Sequence, residues 1–238
     1  WKSEPSMTPG IFVTGTDTEV GKTYVSALIA KQLLAEGVNV GVYKPAASGC
    51  ISRDDGNLFS EDADALWQAA GKPATVDHVC PQMFQAPLAP HISARAEGKE
   101  IDRQRLVSGI EYWREHSDFI IVEGAGGLMA PISDDDFVAD LAYEFGFPLV
   151  VVVANKLGCI NHTLQTLITA ASYEDGIPIA GMIVNNVQPV TKEDISLTTN
   201  PSEIARCCIP SILATVDYGQ GLSEKIDWVD LALQCLNP

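Results

Sequence analysis

"FVTGTDTEVGKTYV", residues 12–25, governs the reading of this 238-residue chain. It approaches the pattern G-x-x-x-x-G-K-[ST], in which a glycine-rich loop holds phosphates against the start of a helix. Counting back from Gly21, Lys22 and Thr23, the pattern asks for glycine or alanine at position 16, but Thr16 stands there and the glycine is Gly15. The loop is one residue longer. Its equipment survives the insertion: successive backbone N–H groups face an anion, Lys22 reaches terminal phosphates and the Thr23 hydroxyl suits Mg²⁺. The bland reading is an ordinary strand-to-helix turn. Two acids, Asp17 and Glu19, lie inside the loop. They belong there only if they face away from phosphate or toward a cation, a metal or an amine, which points to a cationic substrate.

Working outward, Val25, Leu28, Ile29, Leu33 and Leu34 recur at three- and four-residue steps and predict an amphipathic helix ending near Glu36-Gly37. "VNVGVYKP", "DFIIVEGAGG", "PLVVVVAN", "IAGMIVNN" and "IPSILATV" follow as strand-sized apolar runs separated by helix-length stretches. Strands that alternate with helices need crossover connections and so a parallel sheet. Runs apolar throughout are those of a sheet covered on both faces. The expectation is one doubly wound α/β domain over residues 7–238, its sheet mostly parallel, with residues 1–6 read as a processed or appended end. The stretch from Cys50 to Glu100 is the least regular, as an insertion that covers substrate would be.

Composition narrows the function. A net charge of −16 and a pI near 4.4 argue against nucleic acid or an anionic membrane as partner, since both require a basic face. No apolar run approaches the roughly 20 residues that span a bilayer. These features suit a cytoplasmic protein. The six cysteines have no C-x-x-C pairs and no regular spacing, so they read as reduced, mostly buried thiols rather than a disulfide or zinc framework.

In an open α/β sheet the ligand lies beyond the carboxyl ends of the strands, where the chain reverses across the sheet. The second strand delivers Lys44 there, a second positive charge whose bland reading is a solvated surface lysine. "FIIV" delivers Glu123, a carboxylate suited to Mg²⁺ on nucleotide phosphates; alternatively it is an acid bonded to backbone amides. Gly124, Gly126 and Gly127 beside it permit close approach of a ligand.

Taken together, "GTDTEVGKT", "YKPAASG", "APHISA", "VEGAGGLMAPIS" and "NKLGCINHTLQT" resemble the dethiobiotin synthetase family, from Phe12 to about Asn186. The resemblance implies a P-loop NTPase-like fold and an ATP- and Mg²⁺-dependent ligase that closes a cyclic urea from 7,8-diaminononanoate and CO₂ or bicarbonate. In such a reaction one amine forms a carbamate, ATP phosphorylates it, and the second amine displaces phosphate. By resemblance, Lys22 and Lys44 serve the phosphates and the carbamate, with Thr18 near the amines and Ser48 on the substrate. Nucleotide contacts fall to Asp17, Glu19, Val20, Gly21, Lys22, Thr23, Glu123, Gly124, Ala125, Gly126 and, for the base, Asn185. Metal ligands fall to Thr23, Glu123 and Asp64, the last also readable as an exposed acid of a first helical turn. Gly158, Cys159 and Asn161 form the anion site for the substrate tail, lent in the family by a neighbouring subunit, which implies a homodimer with sites at the interface.

Two rivals share the loop. An amidase of the cobyrinic type requires a further glutaminase domain. A nucleotide switch of the partitioning or nitrogenase iron protein type acts on a protein partner, but it carries a lysine just after the first loop glycine, where Thr16 and Asp17 stand.

Overall fold

Six runs of branched apolar residues fold as the strands of one parallel sheet, seen in a computed structural model that describes residues 8–54, 56–189 and 194–236. The segment 1–6, read as a processed or appended end, lies outside the described residues. The chain begins with β1 (Gly10–Gly15), passes the loop into α1 (Lys22–Ala35) and returns as β2 (Val40–Tyr43). Short pieces follow: β3 (Ala46–Ala47), β4 (Ile51–Ser52), β5 (Leu58–Phe59), α2 (Glu61–Ala69), α3 (Val76–Val79), β6 (Gln82–Met83) and α4 (Pro90–Ala96). Then come α5 (Arg103–His116), β7 (Phe119–Gly127), α6 (Val138–Phe145), β8 (Leu149–Ala154) and α7 (Cys159–Ser172). β9 (Ile179–Asn185), α8 (Ile195–Cys207), β10 (Ile212–Val216) and α9 (Trp228–Leu236) complete the alternation.

The sheet order is β10-β9-β8-β1-β7-β2, and every pair is parallel. β1 sits between β7 and β8, with earlier strands to one side and later ones to the other. That reversal opens the crevice at the carboxyl end of β1. Every residue of β1, β2 and β8 is buried, as expected of strands covered on both faces. The doubly wound expectation is met, strand by strand.

On α1 the buried stripe is Val25, Ile29 and Leu33. Leu34, counted with that stripe in the sequence, is exposed, because it stands one residue, about 100°, round from Leu33. The irregular stretch from Cys50 to Glu100 holds two small two-stranded ladders, β3 with β6 and β4 with β5, and α2, which packs on α1. Among the cysteines, Cys50, Cys80 and Cys159 are buried, Cys208 and Cys235 are half-buried and Cys207 is exposed; all six are free thiols.

Candidate active site

Strand register places the charged residues. Tyr43 pairs with Val122 and Val13 pairs with Glu123. The next step along each strand therefore brings Lys44, the first residue past β2, beside Glu123 on β7. Glu123 Oε1 accepts from Lys44 Nζ at 2.6 Å and from Thr23 Oγ1 at 2.7 Å. Lys44 Nζ also lies 2.9 Å from Asp62 on α2. Glu123 is fully buried, and its second oxygen, Oε2, has no partner.

Burial works against the charge of Lys44, but the two carboxylates overcome it and raise its pKa above the ordinary lysine range. Lys44 is thus a permanent ammonium at neutral pH. Burial, assisted by the repulsion of Lys44, lowers the pKa of Lys22, although Glu123 and Asp62 offset part of this. Asp62 also resists burial, and its contacts with Lys44 hold its carboxyl below the usual range.

The loop closes on itself. Lys22 Nζ donates to the Asp17 carbonyl at 3.3 Å, and the Asp17 carboxylate accepts from the Thr18 N–H at 2.7 Å. Glu19 adopts a left-handed conformation with φ of 55°, a strained choice for a residue with a side chain. Gly21 takes φ of 87° and caps α1 without a side chain, so the helix's first N–H groups stay open to an anion. A Cβ at Gly21 would meet Asn185 Nδ2 at 2.2 Å.

These residues line a cavity of about 390 Å³. It gathers Thr18, Glu19, Gly21, Lys22, Thr23, Lys44, Ser48, Glu123, Gly124, Ala125 and Gly126, all singled out from the sequence, together with Ala46, Ala47 and Asp62. A second cavity of about 440 Å³ adjoins it across Glu19 and Gly21 and is lined by Tyr24, Asn185, Asn186, Val187, Tyr218 and Gly219. Asn185 Nδ2 donates to the Val20 carbonyl at 2.9 Å, which fixes its orientation under the loop. A larger cavity, about 470 Å³, lies between α4 and residues 133–136. Its arginines are already committed, Arg95 to Asp134 and Arg103 to Asp136, whereas the cavity beside the loop gathers two lysines and an unpartnered carboxylate oxygen of Glu123.

Two expectations change. Asp62, not Asp64, meets Lys44 and lines the cavity. Residues two apart on a helix point about 200° away from each other, and α2 buries Ala63, Leu66 and Ala69. Asp62 stands four and seven residues before two of these, so the apolar stripe was the signal that would have chosen it. Asp17 does not line either cavity; its carboxylate braces the loop while Glu19 faces both cavities. Gly158, Cys159 and Asn161 begin α7 and line neither cavity of this protomer. Tyr24 and Asn186, each next to a residue singled out from the sequence, and Tyr218, from a turn far along the chain, were missed because only the fold brings the three to one cavity.

The donor set fits Mg²⁺. A hydroxyl and one or two carboxylates, completed by phosphate oxygens and water, are how this ion is usually held beside a nucleotide. Glu123 Oε2 is a buried carboxylate oxygen without a partner, Thr23 Oγ1 is beside the same group, and Asp62 lies across Lys44. Among the described residues no group of three His, Cys, Asp or Glu side chains could hold a metal by itself.

Fold and site define the class, a P-loop nucleotide-binding enzyme: the AAA domain family matches residues 9–225. The ATP-dependent dethiobiotin synthetase BioD of Rhodopirellula baltica is 44% identical over 220 residues, spanning 88% of this chain and 84% of that protein. That of Bacillus subtilis is 39% identical over 230 residues, 94% and 96% of the two chains. The chain belongs to the ATP-dependent dethiobiotin synthetase family. Similar folds occur in a ParA family ATPase from Chlorobium tepidum (TM-score 0.55, 17% identity, 90% of this chain and 85% of that one). The cell division ATPase MinD of Pyrococcus furiosus is comparable (0.52, 16%, 89% and 84%). At such identity these two share the fold alone. No helix among the described residues is long and apolar enough to cross a membrane.

Proposed function

We propose that this enzyme closes the ureido ring of dethiobiotin from 7,8-diaminononanoate and CO₂, consuming ATP. The observation that carries the reading is the buried Lys44 ammonium, 2.6 Å from Glu123 and facing the same cavity as Lys22 and Thr18.

Each stage has a charge problem that these residues address. One amine and CO₂ form a carbamate and release a proton; the carbamate is then an anion beside a polyanionic nucleotide. Lys44 has three N–H donors, two of which serve Glu123 and Asp62, so the third is free for a carbamate oxygen. Its raised pKa makes it an electrostatic donor rather than a base. Lys22 and the open N–H groups of α1 receive the phosphates. The carbamate oxygen attacks the terminal phosphorus and ADP leaves. The second amine then attacks the carbonyl carbon, phosphate departs, and a proton is lost as the ring closes. Thr18 and Ser48 orient the diamine, and Glu19 favours its positive charge at the cavity mouth.

Mg²⁺ would be held by Thr23, Glu123 and Asp62 and would neutralise phosphate charge there. The base enters the second cavity, where Asn185 offers an amide to an adenine edge. The substrate's carboxylate tail is bound by residues 158–161 of a second copy. Leu157, 85% exposed, and Ile168, 65% exposed, supply an apolar face for that homodimer. The reading places the enzyme in the cytoplasm.

Incubation with ATP, Mg²⁺, bicarbonate and 7,8-diaminononanoate should yield dethiobiotin, ADP and phosphate by mass spectrometry. ATP hydrolysis stimulated by a protein and not by diamine with bicarbonate would replace the ligase with a nucleotide switch.

A further inference from the structure

Four side chains form an unbroken hydrogen-bonded chain beneath the second cavity. Asn186 Nδ2 donates to Asp217 Oδ1 at 2.8 Å, Asn155 Nδ2 donates to Asn186 Oδ1 at 2.8 Å, and Asn200 Nδ2 donates to Asn155 Oδ1 at 2.9 Å. Asn155, Asn186 and Asn200 are all buried, and buried amides are costly unless paired.

The direction of the chain is dictated by its end. Asp217 Oδ1 accepts, so Asn186 presents its NH₂ there, which turns the Asn186 oxygen toward Asn155 and, in turn, the Asn155 oxygen toward Asn200. The far end reaches the loop after β8: Asn200 Nδ2 also donates to the Lys156 carbonyl at 3.2 Å. A proline anchors this end. Pro201, inside α8, has no N–H to give the Leu197 carbonyl four residues back. Asn155 Nδ2 supplies that bond instead, at 2.8 Å.

At one end of the relay stand the walls of the proposed base cavity, Asn186 and the Tyr218-Gly219 turn that follows Asp217. At the other stands the Lys156–Cys159 turn that opens α7. We propose that Asn155 is a positioning residue that couples the two, so that a nucleoside base bound against Asn185 and Tyr218 stiffens the turn after β8. The proposal rests on the reading of that cavity as the base site; it does not depend on the reaction catalysed. Its chemistry is specific to the base: a ligand that occupies only the phosphate loop touches no member of the relay.

The test is hydrogen–deuterium exchange on the full chain with Mg-ATP and with Mg-tripolyphosphate, which lacks a base. Mg-ATP should slow exchange in peptides covering residues 156–162 and 216–220 beyond the slowing given by Mg-tripolyphosphate. Asn155→Leu should abolish the excess at 156–162, keep it at 216–220, and weaken ATP binding roughly tenfold with tripolyphosphate binding unchanged. If that variant does not fold, Asn186→Asp and its combination with Asp217→Asn decide the matter. The single change sets carboxylate against carboxylate and should lose the excess at 156–162. The double change restores an acceptor at 186 for both neighbouring amides and should regain it. Equal slowing by the two ligands in the unaltered protein, an undiminished excess in Asn155→Leu, or a double variant that behaves like the single one would each overturn the proposal. Failure to make dethiobiotin would remove the ligase reading and leave this result standing.

Discussion

Lys44, the first residue past β2, and Glu123, on the adjacent parallel strand β7, meet at 2.6 Å, and the carboxylate's other oxygen is buried without a partner. One acid thus holds the ammonium in place with Oε1 and leaves Oε2 unpartnered, the oxygen that the proposed Mg²⁺ would take.

Lys44→Gln removes the fixed charge meant for the carbamate. Turnover should fall by about 10²–10³-fold, with ATP affinity nearly unchanged, as read by product formation and by calorimetry. Near-normal turnover would take Lys44 out of the mechanism.

Glu123→Gln replaces one oxygen of that acid by an NH₂, and Thr23→Val removes the hydroxyl beside it. Both should raise the Mg²⁺ concentration for half-maximal activity, by about 10–100-fold if they behave like changes around other metal sites. A magnesium titration that is superimposable on that of the unaltered protein would count against both assignments.

Asp62 has its carboxyl held below its ordinary value of 3.8 by Lys44, against the opposing effect of burial. For a depressed carboxyl the stabilisation is complete above the unfolded value and is lost as pH falls through the lower folded one. The difference in Tm between the unaltered protein and Asp62→Asn should therefore be constant above pH 3.8 and shrink below it. A difference independent of pH across the acid range would contradict the pairing.

Gly21→Ala forces a side chain into φ of 87° and against Asn185 at 2.2 Å. The left-handed backbone alone costs about 1–2 kcal/mol, and the contact disturbs the base cavity as well. Lower Tm and weaker ATP binding are expected together in thermal melts and calorimetry; loss of stability with full ATP affinity would separate the loop from the base site.

Thiol reactivity should follow burial. Cys207 should react first with a disulfide reagent at pH 8, ahead of the half-buried Cys208 and Cys235. Burial pushes Cys80 up to about 12, so it should stay unlabelled until the chain unfolds. Mass mapping of labelled peptides reads the order, and early modification of Cys80 would contradict the packing.

Much of this was legible in the chain because its signals are local. Apolar runs such as "PLVVVVAN" are strands whatever surrounds them, and a strand, a lengthened glycine loop and an amphipathic helix in succession leave few arrangements for Lys22 and Thr23. Asp64 came from the family resemblance, and three acids in four residues offer no local signal to correct it; the face of α2 that packs inward supplies one.

By itself, then, the sequence determined the alternation of strands and helices, the phosphate loop and which strands carry Lys44, Glu123 and Asn185 toward the crevice. Those follow from hydrophobic periodicity and backbone chemistry within a few residues. Tertiary structure alone decided that Lys44 would be pinned between Glu123 and Asp62, that Asp17 would brace the loop while Glu19 faced the cavities, and that Asn155, Asn186, Asn200 and Asp217 would join hands. These are contacts between residues far apart in the chain, set by strand register and helix facing, and no local signal encodes which polar groups the fold will bury together.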